Sequence, residues 1–350
     1  MSAETELLTV EEMYRADALT IEGGVSGAEL MEKAGVRVVA LITAKWERGR
    51  VLILCGPGNN GGDGYVAARL LKEAGWQVDL VAIGDPKMLK GDAAVMRDRW
   101  GGAIDTPAAA DPEQANLVID AVFGAGLTRA LEEPVVSLFR KVREAGLPVI
   151  AVDMPSGVNG NDGTADAATL SASYTVTFFR GKPGHFLYPG RGFCGELLIT
   201  DIGIEAGVLR KIAPKTSRND PALWRDLMPR ADALGHKYSR GHAAVTGGGV
   251  ASTGAARLSA RAALRSGAGA VTLITPFSAL MVYASALTAV MVRACGEPSD
   301  FAAWIREKRI GVVLLGPGNG VSDRTRGFVE AALESNADVL LDADALTVLK

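Results

Sequence analysis

The sequence predicts an α/β protein: a Rossmann-like parallel sheet with helices on both faces, three layers in all, followed by a second α/β unit. Three features carry that prediction. An apolar run at 51–55 passes into the glycine-rich turn Gly56-Pro-Gly-Asn-Asn-Gly-Gly-Asp-Gly64 and then into a helical pattern from Tyr65. Strand-like runs recur at 77–83, 116–122, 148–153 and 174–179, with helical patterns at 65–74 and 135–145 between them, and such alternation gives parallel strands joined by crossover helices. A strand into a glycine turn then starts afresh at His242-Ala-Ala-Val-Thr-Gly-Gly-Gly249.

Two helices open the chain, because Thr9 with Glu12 and Ser26 with Glu29 are capping-box pairs, the second ahead of the apolar positions Leu30, Val38, Leu41 and Ile42. A last strand of the first sheet is expected at 197–202. From about 207 to 240 the pattern dissolves into Pro214, Asn219 and Pro221 among Lys and Arg, with one short amphipathic piece at 223–227. This gives a first domain at 1–212, a linker at 213–235 and a second domain at 236–350. The second domain reads as a helix at 254–266 and strands at 270–275, 310–315 and 338–342, with a helix running uncapped through Lys350. An uncapped end is expected of a fragment of a longer protein.

At 350 residues and 48% hydrophobic, the chain can bury a large core and has the length of about two domains. Net charge is −3 with a pI near 5.8, and no basic run marks a nucleic-acid surface. The first 20 residues carry Glu4, Glu6, Glu11 and Glu12 and lack the form of a signal peptide. No apolar stretch approaches the roughly 20 residues of a membrane helix. Cys55, Cys194 and Cys295 are too far apart for a disulfide framework or a C-x-x-C metal site. A cytoplasmic protein acting on a small molecule is expected, with no nucleic acid and no membrane as partner and with a homo-oligomer left open.

Glycines at 56, 58, 61, 62 and 64 allow close backbone approach and positive φ, and a helix starting near Tyr65 would aim its amides back at the turn. Gly56, Gly58 and Gly61 satisfy G-x-G-x-x-G, and Asp79 stands where a ribose-binding acid is expected, so an NAD(P)-dependent oxidoreductase is one reading. Asn59, Asn60 and Asp63 are more side chain than a plain pyrophosphate loop needs. In the blander alternative Asp63 is an N-cap and the two Asn are turn residues.

Three strands end in oxygen-bearing residues: the first leads to Asn59, Asn60 and Asp63, another ends at Asp120, and a third at Asp153 followed by Met-Pro-Ser156-Gly157. In an open parallel sheet those ends share one crevice, where ligands bind. Carboxylates gathered there repel unless a cation or hydrogen-bond donors separate their roles, and a bound cation is the economical solution. Asn60, Asp120 and Ser156 supply hard oxygen donors suited to an alkali or alkaline-earth ion, which leaves Asp153 for acid–base work. A simple turn-capping role for each Asp is the competing explanation.

Together Gly56-Pro-Gly-Asn-Asn-Gly-Gly-Asp-Gly64, Asp120-Ala-Val-Phe-Gly-Ala-Gly-Leu127 and Asp153-Met-Pro-Ser-Gly157 resemble the NAD(P)H-hydrate epimerase domain of YjeF N-terminal type, over about residues 1–210. The resemblance implies epimerisation of a hydrated nicotinamide dinucleotide, with no hydride transfer. By position it implies substrate contacts at Asn59, Asn60, Gly61, Gly62 and Asp63, at Gly124, Ala125, Gly126, Leu127, Thr128, Arg129 and Ala130, and at Asp153 as the catalytic residue. It implies potassium held by Asn60, Asp120 and Ser156. Arg180-Gly-Lys182-Pro-Gly-His185 is read either as bringing a cation toward substrate phosphates or as a solvated surface turn, and Lys182 stays outside the catalytic set. A scaffold without catalysis is the remaining alternative.

The two histidines of His236-Lys-Tyr-Ser-Arg-Gly-His242 are too few for zinc. With Thr253-Gly-Ala-Ala-Arg257, Gly316-Pro-Gly318 and Leu341-Asp-Ala-Asp-Ala-Leu346, this segment resembles the start of the ADP/ATP-dependent NAD(P)H-hydrate dehydratase, a ribokinase-like domain. That resemblance implies hydrate contacts at Ala255 and Gly318, whereas Gly267 and Gly269 read as packing positions. The Gly-Thr-Gly-Asp segment of that family does not occur between 236 and 350. The second domain is therefore expected to be partial and inactive in dehydration, with its ADP or ATP loop missing.

Overall fold

The computed structural model describes residues 5–228 and 234–350. Contacts divide the chain into two units, Met1–Asp226 and Leu227–Lys350.

In the first unit, a two-residue strand β1 (Glu6–Leu7) leads to α1 (Val10–Glu22). Thr9 caps that helix reciprocally, its hydroxyl accepting from Glu12 N while the Glu12 carboxylate accepts from Thr9 N. After α2 (Gly27–Lys45), capped by Ser26, come β2 (Arg50–Cys55), α3 (Asn59–Glu73), β3 (Gln77–Ala82), α4 (Gly91–Trp100), β4 (Leu117–Ala121) and α5 (Val135–Ala145). The unit continues with β5 (Val149–Val152), β6 (Tyr174–Phe178), a short α6 (Gly190–Phe193), β7 (Glu196–Thr200), α7 (Val208–Ile212), β8 (Thr216–Ser217) and α8 (Pro221–Trp224).

Six strands form one parallel sheet in the order β3-β2-β4-β5-β6-β7. Its inner strands β2 and β5 are apolar on both faces because both are covered. Val51, Ile53 and Cys55 of β2 pack into the cluster of Met13, Met31, Val38, Tyr65 and Met96 from α1–α4, whereas Leu52 and Leu54 pack with Leu138, Phe139 and Val142 of α5. Alternate residues of one strand thus serve opposite layers.

The stretch 213–235, expected as linker, is ordered at its start. Ala213 ends α7, and Thr216–Ser217 pairs antiparallel with β1. Residues 229–233 of that stretch lie outside the described residues.

The second unit contains β9 (His242–Thr246), α9 (Gly254–Arg265), β10 (Ala270–Thr275), α10 (Leu280–Ala286), β11 (Met291–Ala294), α11 (Pro298–Glu307), β12 (Val312–Leu315), α12 (Asp323–Leu333), β13 (Asp338–Leu341) and α13 (Asp344–Thr347). Its parallel sheet runs β11-β10-β9-β12-β13. Ala243, Val245 and Leu273 face Ala256, Ala260 and Tyr283, while Ala244, Ile274 and Val313 face Phe301, Trp304 and Phe328. The edge strand β11 has no counterpart in the sequence reading, because its half-exposed Met-Val-Arg-Ala pattern is not a buried strand's. The last helix closes at Thr347 and does not run through Lys350.

Candidate active site

The sheet grows in opposite directions from β2 and β4, so a crevice opens at their carboxyl ends, the place where open α/β sheets bind ligands. The two ends are tied by Gly56 N donating to Ala121 O at 3.0 Å. A cavity of about 560 Å³ lies there, walled by Tyr14 and Asp17 of α1, by Asn59, Asn60 and Asp63 of α3, by Gly124–Arg129, and by Asp153 and Lys182.

The glycine-rich turn works differently from the expectation. None of Gly56, Gly58, Gly61, Gly62 and Gly64 has positive φ; their role is close approach. A Cβ on Gly56 would lie 1.7 Å from Val122 O, and one on Gly61 would lie 2.0 Å from Gly56 O. The helix therefore begins at Asn59, six residues before Tyr65, and Asp63 sits inside it while Gly58 is the N-cap. Asp79 is not at the crevice. It binds both Arg50 Nε and an Arg50 terminal nitrogen, at the residue that begins β2, whereas the cavity lies beyond Cys55 at its other end.

Asp153 follows β5 with φ +64, a left-handed conformation costly for a non-glycine residue, and its amide donates to Val176 O at 2.7 Å. This turn brings its carboxylate under three donors. Oδ1 accepts from Lys182 Nζ at 2.6 Å and from Thr177 Oγ1 at 2.9 Å, and Oδ2 accepts from Ala125 N at 3.1 Å. Lys182 Nζ also donates to Thr177 Oγ1 at 2.8 Å, and its side chain is only 2% exposed. Burial raises the Asp153 pKa, but the Lys182 charge and its hydrogen bond overcome this and hold the carboxyl at about 2. His185 completes the group: its Nδ1 accepts from Lys182 N at 2.9 Å, so Nε2 carries the proton and donates to Asp153 O at 2.8 Å. Burial, with Lys182 adding, pushes His185 down to about 4, so it is neutral at pH 7.

Beneath the cavity, Asp120 is fully buried. Its Oδ1 accepts from Ser156 Oγ at 2.6 Å and Val122 N at 3.2 Å, and its Oδ2 accepts from Ser156 N at 2.9 Å. Burial raises its pKa against these hydrogen bonds. Ser156 Oγ also accepts from Phe123 N at 2.8 Å. The Asn60 amide spans Val152 O and Gly124 N, donating at 3.1 Å and accepting at 3.3 Å in the orientation that satisfies both.

Of the predicted residues, Asn59, Asn60, Asp63, Gly124–Arg129 and Asp153 share the cavity wall. Gly61 and Gly62 are packed against Gly56 O and Met31, and Ala130 is not part of the lining. Ala255 and Gly318 lie in the second unit. There Gly318 O accepts from Ser252 Oγ at 3.1 Å, which ties the Gly316–Gly320 loop to the segment preceding α9. Lys182 is the correction that matters most: the solvated-surface reading fails because the lysine is buried against Asp153. The strand-end argument applied to β6, the neighbour of β5, would have found it. Asp17 and Tyr14 were also missed, although they interrupt the apolar stripe Val10, Met13, Ile21 on the cavity face of α1. Among the described residues, no group of three or more His, Cys, Asp or Glu could hold a metal, and no helix is long and apolar enough to cross a membrane.

Residues 27–184 match the family described as YjeF-related protein N-terminus, and residues 243–350 match the family described as NAD(P)H-hydrate dehydratase. A bifunctional NAD(P)H-hydrate repair enzyme of Coxiella burnetii is 32% identical over 99% of this chain and 71% of its own length. The chain belongs to the bifunctional NAD(P)H-hydrate repair enzyme family. The Escherichia coli member is 33% identical over 93% of the chain and 63% of its own length. An NAD(P)H-hydrate epimerase of Rhodobacter capsulatus is 45% identical over 57% of this chain and 100% of its own length. A yeast protein of known crystal structure shares the fold of 61% of the chain, with a TM-score of 0.51 and 18% identity. The family therefore spans both units, and the expected inactivity of the second gains no support from a match that runs from β9 through α13.

Proposed function

We propose that the first unit interconverts the two epimers of NADH-hydrate or NADPH-hydrate, and that the second unit carries dehydration of the hydrate with ADP or ATP as co-substrate. The observation that carries the epimerase half is the Asp153–Lys182 pair, buried at the cavity where strand ends meet, in a chain 45% identical over 215 residues to an NAD(P)H-hydrate epimerase. Water added across the electron-rich double bond of a dihydronicotinamide leaves its hydroxyl on the carbon bonded to the ring nitrogen. Inverting that carbon requires a proton to move onto a leaving atom and off again.

In this reading Asn59, Asn60, Asp63 and Gly124–Arg129 bind the hydrate, and Asp153 meets the reacting ring. Held at about 2, Asp153 stands as an anion, so it accepts hydrogen bonds and stabilises positive charge while Lys182 keeps it ionised. The acid half of the role expected for Asp153 does not suit that environment. The oxidoreductase reading loses its ribose acid, since Asp79 is taken by Arg50. A scaffold would have no use for a strained, desolvated ion pair.

Potassium fits the cluster beneath the cavity. Asp120 is a buried carboxylate whose hydrogen-bond partners among the described residues are Ser156 and Val122, with no cation beside it. Turned over, the Asn60 amide would set its oxygen about 3.1 Å from Val152 O, a contact between two carbonyl oxygens that a cation makes favourable. The donors are all hard oxygens, which suits an alkali ion. Asn60, Asp120 and Ser156 would hold it, and the ion would neutralise Asp120.

The test is to incubate one purified NADH-hydrate epimer with the protein and follow both epimers by chromatography, with and without ADP or ATP. Interconversion without nucleotide is expected, together with nucleotide-dependent recovery of NADH. An epimer ratio that drifts no faster than in buffer would refute the epimerase assignment.

A further inference from the structure

Helix α1 turns one face to the cavity, and that face carries Val10, Met13, Tyr14, Asp17 and Ile21 at helical spacing. Asp17 is the one acidic side chain in this stripe. Among the described residues no hydrogen bond or ion pair engages its half-buried carboxylate, which is therefore aimed into the cavity without a partner. A carboxylate left so on an apolar helix face destabilises the fold unless it works for a ligand.

We propose that Asp17 is the proton donor of the epimerisation, acting on the hydrated ring from α1 while Asp153 faces it from the sheet. The assignment rests on the epimerase reading above. The Asp17 carboxylic acid passes its proton to the ring hydroxyl as the carbon–oxygen bond breaks. The bonding pair leaves with the oxygen as water, and the ring nitrogen's lone pair closes a carbon–nitrogen double bond. Water then adds to either face of that planar cation, the double-bond pair returns to nitrogen, and the surplus proton returns to Asp17.

The charges around Asp17 suit this role. Burial raises its pKa to about 6, with Lys182 opposing and the Asp153 anion reinforcing. Asp63 on α3 and Tyr14 on α1 also face it, each raised chiefly by burial and further by the charges of Asp153 and Asp17, and Asp92 and Arg129 line the same cavity. Two carboxyl groups in one cavity, one held at about 2 and the other at about 6, take different roles: Asp17 carries the proton out and back, and the Asp153 anion stabilises the positive ring.

The experiment compares wild type, Asp17→Asn and Asp17→Glu in the epimer-interconversion assay between pH 5 and 9, with the buffer rate subtracted. In the wild type kcat/KM should fall above about pH 6 as Asp17 ionises. Asp17→Asn should lower kcat/KM at least ~100-fold and abolish that limb, and Asp17→Glu should restore part of the rate and the limb. Asparagine should not unfold the protein. The folded-state pKa of Asp17 lies above its ordinary value, so the ionised group costs stability above about pH 6 and none below about pH 4. The melting temperature of Asp17→Asn should therefore equal or exceed wild type at pH 8. An Asp17→Asn protein with the wild-type rate and pH profile overturns the assignment and leaves the epimerase reading standing. A wild-type chain that does not interconvert the epimers overturns both.

Discussion

Lys182→Met removes the cation hydrogen-bonded to Asp153 while keeping most of the side chain's volume. The size of the effect follows from the geometry. A carboxyl held at about 2 rather than 3.8 gains about 2.5 kcal/mol in its ionised form. Removing one partner of a buried pair strands the other, at about 3–5 kcal/mol. The variant should therefore lose about 3 kcal/mol of first-unit stability at pH 7, read from urea unfolding followed by tryptophan fluorescence. The pH dependence has a definite sign. The folded-state pKa of Asp153 is depressed, so the pair's contribution is present above about pH 4 and is lost as pH falls toward 2. The deficit of the variant should close over that window. Adding Asp153→Asn to Lys182→Met should recover much of the loss, because an amide needs no counter-charge. A deficit below 1 kcal/mol, a deficit unchanged between pH 7 and 3, or a double variant no better than the single would refute the reasoning.

Ser156→Ala removes the hydroxyl that donates to Asp120 at 2.6 Å and accepts from Phe123 N at 2.8 Å; it should cost about 1–3 kcal/mol and flatten the response of epimerisation to potassium in a titration against sodium. Gly56→Ala would drive a methyl to 1.7 Å from Val122 O and should abolish soluble expression of the folded first unit. Gly58→Ala meets nothing within 4 Å and should melt close to wild type by circular dichroism.

The sheet was legible because parallel strands covered on both faces are continuous apolar runs, and Asp120, Asp153 and Asn60 stand where such runs stop. The start of α3 was not, because glycines suggest a loop when read by propensity. Here Gly61 and Gly62 are helical and Gly56 lies just ahead of the helix, each required by a neighbour that no local pattern reveals: Val122 O against Gly56, Gly56 O against Gly61, and Met31 against Gly62. Lys182 was misread for a related reason. A lysine is solvated by default, and only the parallel register of β5 with β6 brings it to Asp153. Asp17 precedes the first long strand by more than thirty residues, and its place over the cavity depends on how α1 packs. Asp79 drew attention through a motif, but Arg50, its partner across the β2–β3 pair, had already claimed it.

The cavity is rich in carboxyl groups, with Asp17, Asp63, Asp92 and Asp153 set against Lys182 and Arg129. Such a lining repels phosphate but suits a ring that becomes positively charged as its hydroxyl departs, since preorganised charge acts where charge develops. Burial, with Asp153 and Asp17 adding, raises Asp63 well above its ordinary range. Asp153 stays anionic and supplies the field. Two unit charges about 5 Å apart interact by about 3 kcal/mol at an effective dielectric of 20, and half of that surviving screening and the opposing charge of Lys182 amounts to about tenfold in affinity. The oxidised dinucleotide carries a flat, positively charged nicotinamide like the proposed cation, whereas the reduced form is neutral. NAD+ should therefore inhibit epimerisation with a constant at least ~10-fold lower than that of NADH, and Asp153→Asn should erase the difference. Equal inhibition by the two forms would mean that the carboxylates do not act on charge at the ring.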